Sequence, residues 1–118
     1  MERKTIPDAL LLLTAEKFRM LGDPTRLSIL RALMIQGEMN VSQIVLATEH
    51  GIANVSRHLK QLAAAGLLAR RKAGSFVQYR LDDPVIEKIC TLVCDSLRSE
   101  LEAQLKRGRR LLDPKRRK

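Results

Sequence analysis

One segment of the chain, IANVSRHLKQLAAAGLL at 52–68, combines hydrogen-bonding side chains with helical spacing. At 100° per residue, Asn54, Arg57 and Gln61 point away from an apolar stripe, with Lys60 at one edge. Amide and guanidinium groups match the donors and acceptors that base edges present in the major groove of DNA. A helix that enters this groove also needs an apolar face that packs on a core. The pattern therefore predicts a helix that contacts DNA.

The charge distribution supports this interpretation. The 118-residue chain has 22 basic and 13 acidic residues, a formal net charge of +9, which indicates a polyanionic partner. Six basic residues and no acid occur between His50 and Leu81, and the segment 106–118 carries a net charge of +7. A solvated charged face is the alternative for any single basic helix. Two adjacent acid-free elements make that alternative the weaker one.

The second of these elements follows the helix directly. In LLARRKAGSFVQYRL, at 67–81, two short alternating runs flank Ala73-Gly74-Ser75, which predicts a β-hairpin with a glycine turn. Its cations lie on the first strand and at the end of the second. We expect them to contact phosphates or the minor groove: Arg70, Arg71, Lys72 and Arg80.

These candidate residues require a scaffold that is mainly helical. Aromatic residues make up 3 % of the chain and hydrophobic residues 45 %, which favours a core of packed helices. The order of elements is four helices, two strands and a fifth helix, which predicts a mainly α winged helix-turn-helix with the small β-hairpin as its wing. The domain is expected to span residues 1–105, and the basic segment 106–118 is predicted to be a disordered tail.

Polar side chains that can cap helix N-termini mark where three of the helices begin. The candidates are Asp23 or Thr25 for the second helix, Ser42 for the third, and Asp82 or Asp83 for the last.

The first and last helices carry more apolar surface than one small domain can bury. Four consecutive leucines at 10–13 cover more than one face of the first helix. On the last helix an apolar stripe runs from Ile86 to Leu105. Pairing of two chains through these helices would cover both surfaces, so we expect a homodimer.

Two stretches, FRMLGDPTRLSILRAL at 18–33 and ANVSRHLKQLAAAGLLARRKAGSFVQYRL at 53–81, closely resemble the ArsR/SmtB family of dimeric winged-helix repressors. The resemblance extends from about Leu13 to Leu105. It implies that the fourth helix reads operator DNA, that RRKAGSFVQY is the wing, and that an inducer releases the DNA. By position, Asn54, Ser56 and Arg57 match the DNA-facing segment of the family, as does His58.

Spacing and resemblance together give one predicted DNA-binding set. It comprises Ala53, Asn54, Ser56, Arg57, His58, Lys60, Gln61, Arg70, Arg71, Lys72, Ser75 and Arg80. Within it, His58 has two interpretations: a histidine packed against the third helix, or a phosphate contact. It has no second ligand nearby in the sequence, which argues against a metal role.

Metal sensing in the family depends on positions that this sequence does not preserve. Family members often place thiolates at the start of the third helix, where this chain has Val41-Ser42-Gln43-Ile44. A second family site lies on the last helices, where most ligands are also missing here. No cofactor is therefore required, and no metal site is assigned.

Cys90 and Cys94 remain as candidate sensors. At positions i and i+4 they share a helix face and could bind one soft metal or metalloid ion, or undergo oxidation. Alternatively, both are small apolar residues in a tight helix interface.

The remaining features narrow the class of protein. Two cysteines do not form a disulfide framework, and the apolar run at 9–13 is too short for a signal sequence or a membrane span. We therefore expect a soluble, cytoplasmic protein that does not associate with a membrane. The sequence shows no catalytic nucleophile–base–acid set and no phosphate-binding loop, so an enzyme is not expected. The alternative to a DNA-binding repressor is a winged-helix scaffolding module without specific DNA binding.

Overall fold

A computed structural model describes residues 5–116 and divides the chain into two units, with the boundary between Asp83 and Pro84. The first unit contains α1 (Asp8–Leu21), α2 (Pro24–Gln36), β1 (Met39–Asn40), α3 (Val41–Thr48), α4 (Ile52–Ala64), β2 (Leu68–Ala73) and β3 (Phe76–Leu81). The second contains α5 (Val85–Leu112) and a single 3-10 turn (Pro114–Arg116).

The core of the first unit lies where α2, α3 and α4 meet one another and the sheet. Its members are aliphatic side chains at helical spacing, as the low aromatic content predicts. The fully buried ones include Ile29, Leu30, Ile44, Val55, Leu59, Leu62 and Leu67.

The sheet has three strands in the order β1-β3-β2, all antiparallel. The predicted hairpin is confirmed as β2 and β3, paired from Leu68↔Leu81 to Ala73↔Phe76. The sequence pattern does not predict β1, which pairs Met39 with Tyr79 and Asn40 with Gln78. Two residues are too short to show an alternating pattern, so the sequence indicates only a loop at this position.

Of the three predicted N-cap assignments, the structure confirms the one for α2 and contradicts those for α3 and α5. The Asp23 carboxylate accepts a hydrogen bond from the Arg26 backbone N–H (2.9 Å) and caps α2. Asn40, rather than Ser42, caps α3: it exchanges side chain-to-backbone hydrogen bonds with Gln43 at 2.9 and 2.8 Å. This reciprocal pair stabilises both free N–H groups, whereas Ser42 already lies inside the helix.

Pro84 occupies the N-cap position of α5, which was predicted for Asp82 or Asp83. The Asp83 carboxylate pairs with Lys17 of α1 within the first unit. Proline suits the start of a helix because its missing N–H would have no intrahelical acceptor there.

The last helix is longer than predicted. We expected it to end near Leu105 and the segment 106–118 to be disordered, yet α5 continues to Leu112. Gly108 in its interior costs only about 1 kcal/mol, and the leucine and arginine residues around it are good helix formers. Residues 117 and 118 of the predicted tail lie outside the described part of the chain. Among residues 5–116, no helix is long and apolar enough to cross a membrane.

Candidate nucleic-acid interface

The exposed face of α4 is determined by the residues that the helix buries. Val55, Leu59 and Leu62, at positions i, i+4 and i+7, have 0 % exposure and anchor the helix to the core. The opposite face is therefore directed outwards. Of the predicted DNA-binding residues on α4, those exposed are Ala53, Arg57, Lys60 and Gln61, and those half-buried are Asn54 and Ser56.

A short turn connects α3 to α4 and completes the helix-turn-helix. Glu49 follows α3 in the left-handed region, with φ of 60°, and its N–H donates to the Val45 carbonyl oxygen (2.9 Å). Gly51 then occupies the N-cap position of α4. Reversal of the chain within three residues places the two helices in direct contact.

Two of the predicted base-reading residues are already paired with each other. The Arg57 guanidinium donates to the Asn54 amide oxygen over 2.7 Å, one helical turn apart. The bond restricts the rotamers of both side chains on the exposed face. It leaves the remaining N–H groups of Arg57 and the Asn54 amide NH₂ available as donors.

Arg26 also contributes to this surface, although it is not among the residues that the sequence predicts for it. Its guanidinium donates to the backbone oxygens of Met20 (2.8 Å) and Arg19 (3.1 Å) at the C-terminal end of α1. It also donates to the Gln61 side-chain oxygen of α4, over 3.5 Å. Arg26 therefore links the end of α1 to the exposed face of α4. No charge pattern in the sequence marks it, because the contact depends on the packing of three helices.

His58 lies apart from the outward-facing residues. It is only 6 % exposed, and its Nδ1 has no hydrogen-bond partner within the described residues. The nearby Asp23 carboxyl has a pKa below its ordinary value, chiefly because it accepts the Arg26 N–H and to a smaller extent because of His58. Of the two interpretations of His58, burial favours the packed histidine, and the DNA contact of this residue stays a prediction.

The hairpin distributes its four cations over two faces, because directly paired residues of an antiparallel ladder lie on the same face. Arg70 pairs with Tyr79 and Lys72 with Val77, so Arg70 and Lys72 share one face. Arg71 and Arg80 lie on the other. Ser75 is exposed in the turn at the tip.

The second of these faces is charge-compensated. The Arg71 guanidinium forms a bidentate pair with the Glu38 carboxylate, and its Nε lies 2.9 Å from both oxygens. This contact holds the pKa of Glu38 below its ordinary value of 4.5. Arg80 is 4.0 Å from Asp82. The acid-free stretch of sequence is therefore not acid-free in space, because Asp82 follows it directly and Glu38 is brought to it by the sheet.

The first face of the hairpin, which carries Arg70 and Lys72, differs from the second in its ion pairs. Across residues 5–116, neither Arg70 nor Lys72 forms an ion pair. The wing thus presents one face with two unneutralised cations and one face in which each arginine lies near an acid.

Cys90 and Cys94 lie on α5 as free thiols, the first half-buried and the second exposed. Burial raises the pKa of the Cys90 thiol, and its neighbour Cys94 raises it further. The described part of the chain contains no group of three or more histidine, cysteine or acidic side chains that could hold a metal ion. Two thiols are fewer than the donors of a closed metal site, so Cys90 and Cys94 of one chain do not complete such a site by themselves.

A helix-turn-helix with a polar outer face, followed by a β-hairpin wing, defines a winged helix-turn-helix DNA-binding fold. Residues 23–70 match the sequence model described as "Bacterial regulatory protein, arsR family". The arsenical resistance operon repressor of Escherichia coli (strain K12) is 35 % identical over 91 residues, which are 77 % of this chain and 78 % of that protein. The chain therefore belongs to the arsR family of bacterial regulatory proteins.

Solved structures show the same architecture. The AntR antimony-specific transcriptional repressor superposes with a TM-score of 0.77 at 25 % identity, over 86 % of this chain and 92 % of that one. A homodimeric winged helix-turn-helix DNA-binding domain from Mycobacterium bovis gives a TM-score of 0.71 at 30 % identity, over 87 % and 95 % of the two chains. These likenesses agree with the fold class that the sequence predicted.

Proposed function

We propose that this protein is a homodimeric, sequence-specific transcriptional repressor that binds operator DNA in the cytoplasm through α4 and the wing. The observation that carries the proposal is the outer face of α4. It presents Asn54, Arg57, Lys60 and Gln61 without an acid, while the opposite side of the helix is fixed in the core. The names of the E. coli and AntR relatives, both repressors, favour the same function over a scaffolding module.

The dimer is supported by apolar side chains that each unit leaves uncovered. Leu12 and Leu13 of α1 are 81 % and 67 % exposed. On α5, Leu97, Leu101 and Leu105 are between 53 % and 62 % exposed along one stripe. Apolar surface of this extent marks a protein interface. The Mycobacterium bovis domain, described as homodimeric, supports a second copy of this chain as the partner.

Selection of duplexes from a random-sequence pool, followed by footprinting on the DNA that flanks the protein's own coding region, tests the proposal. We expect enrichment of a sequence with two-fold symmetry, because a symmetric dimer reads two half-sites about one helical turn apart. A protein that enriches no sequence, yet is folded and dimeric, would instead be a scaffolding module.

We further propose that Cys90 and Cys94 receive a thiol-directed signal that releases the DNA. They lie one turn apart on α5, and Cys94 is accessible. Soft thiol ligands favour ions of the kind named for two relatives, an arsenical resistance repressor and an antimony-specific repressor. Since one chain supplies only two thiols, a shared site would use those of two copies. Such an effector lowers operator affinity only if it binds the DNA-free dimer more tightly than the DNA-bound dimer.

A further inference from the structure

The Glu38–Arg71 pair spans the full width of the sheet. Glu38 immediately precedes β1 at one edge, and Arg71 lies on β2 at the other edge. Gln78 of the central strand pairs with both Asn40 of β1 and Arg71 of β2, so these three residues form one row across the sheet. The bidentate contact therefore passes over β3 and joins the wing to the segment that leads into α3.

The pair removes the charge that would attract Arg71 to DNA. A guanidinium that binds a carboxylate through two parallel hydrogen bonds is held in one geometry, and its charge is neutralised. Binding to phosphates gains free energy by the release of counterions, which requires an unneutralised cation. Glu38 would also repel a phosphate placed beside it. On the opposite face, Arg70 and Lys72 have no such partner within residues 5–116.

We propose that Glu38 is a specificity-determining residue that withholds Arg71 from DNA, so that the β2 cations in contact with phosphates are Arg70 and Lys72. The inference rests on the proposed DNA-binding function. Phosphate contacts strengthen binding to every sequence equally, whereas base contacts distinguish among sequences. By limiting the phosphate contacts of the wing, Glu38 keeps binding to unrelated DNA weak and increases the relative contribution of α4.

A charge-matched variant gives the decisive test. Glu38→Gln/Arg71→Gln removes one acid and one base, so its net charge equals that of the wild type. Arg70→Gln removes a proposed phosphate contact. The probe is a duplex that the wild type selects from a random pool, and the readout is the slope of log K against log salt concentration. Removal of one protein–phosphate interaction flattens this slope by about 0.9, or about 1.8 for the two copies of a dimer.

We expect the double variant to keep the wild-type slope and Arg70→Gln to flatten it by about 1.8. The proposal is overturned if the double variant flattens the slope as much as Arg70→Gln, because Arg71 would then contact phosphate despite Glu38. Since both pair members reach solvent, we expect the double variant to fold. Circular dichroism of each variant verifies this before binding is measured.

The single variant Glu38→Gln provides the converse measurement. It frees Arg71, so we expect a slope steeper by about 1.8 and a larger gain in affinity for an unrelated duplex than for the selected one. Asp95→Asn is the matched control, because it removes an acid that pairs with an arginine, Arg98, on α5. Equal steepening by both variants would show a general charge effect and overturn the role of Glu38. A wild type that binds no duplex would overturn the proposed function together with this inference.

Discussion

At the scale of single residues, Arg57 is already oriented before any DNA is present. Its hydrogen bond to Asn54 restricts two flexible side chains on the outer face of α4. A side chain ordered in the free protein loses less conformational entropy when it binds. The pair therefore favours direct reading of base edges over a loose electrostatic contact.

Arg57→Ala should cost about 1–3 kcal/mol in binding to the selected duplex and relax the sequence preference, because the substitution removes a hydrogen-bonding group that we propose contacts base edges. Lys72→Ala is the matched comparison. Lys72 is a proposed phosphate contact on the wing and should strengthen binding to all sequences. Lys72→Ala should therefore lower the affinity for every sequence by a similar factor. Competition binding with single-base variants of the duplex measures both. If the two substitutions reduce specificity equally, Arg57 does not read bases.

The two cysteines lead to a prediction about release of the DNA. Arsenite or antimonite should lower the affinity of the wild type for the selected duplex, whereas Cys90→Ala/Cys94→Ala should bind DNA normally and not respond. The thiolate is the form that binds the ion, so the response should increase as the pH rises. Because the pKa of Cys90 is raised, this increase should occur at a higher pH than for an ordinary cysteine. Fluorescence anisotropy of a labelled duplex, titrated at several pH values, measures this.

The single variant Cys94→Ala distinguishes the contribution of the exposed thiol to the response from that of the half-buried Cys90. A double variant that responds like the wild type would show that both cysteines only pack, and that the signal enters elsewhere.

At the scale of elements, the start of α3 depends on a reciprocal cap. Asn40→Ala should lower the free energy of unfolding by about 1 kcal/mol, because it leaves the Gln43 N–H of the first turn without its acceptor. Ser42→Ala, two residues away on the same helix, is the control and should have little effect, since Ser42 is exposed and does not cap. Urea denaturation followed by circular dichroism gives both values. A larger destabilisation by Ser42→Ala would contradict the cap assignment.

The elements show what the sequence could and could not predict. The long helices and the hairpin follow from patterns that extend over many residues, and the structure confirms them. The strand β1 has two residues, and its pairing with β3 depends on a segment almost 40 positions away along the chain. Local pattern carries no information about such a contact. The cap of α3 is a different case, because Asn40 and Gln43 are only three residues apart and form a capping box, so the prediction of Ser42 missed a signal that the sequence does contain.

The candidate site shows the same limit. The sequence correctly placed the polar face of α4, because that face follows from helical periodicity alone. It could not separate Arg71 from Arg70, because the difference between them is the carboxylate of Glu38, which reaches Arg71 across β3. The roles of Arg26 and His58 likewise depend on how the helices pack.

At the scale of the whole molecule, the basic end of the chain provides a further prediction. Truncation after Leu105 should lower the affinity for DNA and flatten the salt dependence by about 0.9 for each phosphate that the segment neutralises. The truncation also shortens α5, which continues to Leu112. A second variant keeps the helix and replaces only its cations by glutamine: Lys106, Arg107, Arg109 and Arg110.

Salt titrations of both variants distinguish charge from helix length. If the cations of this helical segment contact DNA, the glutamine variant should flatten the slope, by about half as much as the truncation when all eight basic residues contribute, because it removes four of the eight. A slope that is unchanged in both variants would show that the basic segment does not take part in binding.

Asn40 is both the last residue of β1 and the N-cap of α3, so no linker separates the wing sheet from the helix-turn-helix. The Glu38–Arg71 pair closes the same junction from the other edge of the sheet. Within one copy, the wing and α4 are therefore expected to move as a single rigid body. Such a body cannot adjust its own contacts to a poorly matching duplex. The mismatch must instead be accommodated by bending or twisting of the DNA, so stiff and flexible base steps between the contacted positions should alter affinity without contacting the protein.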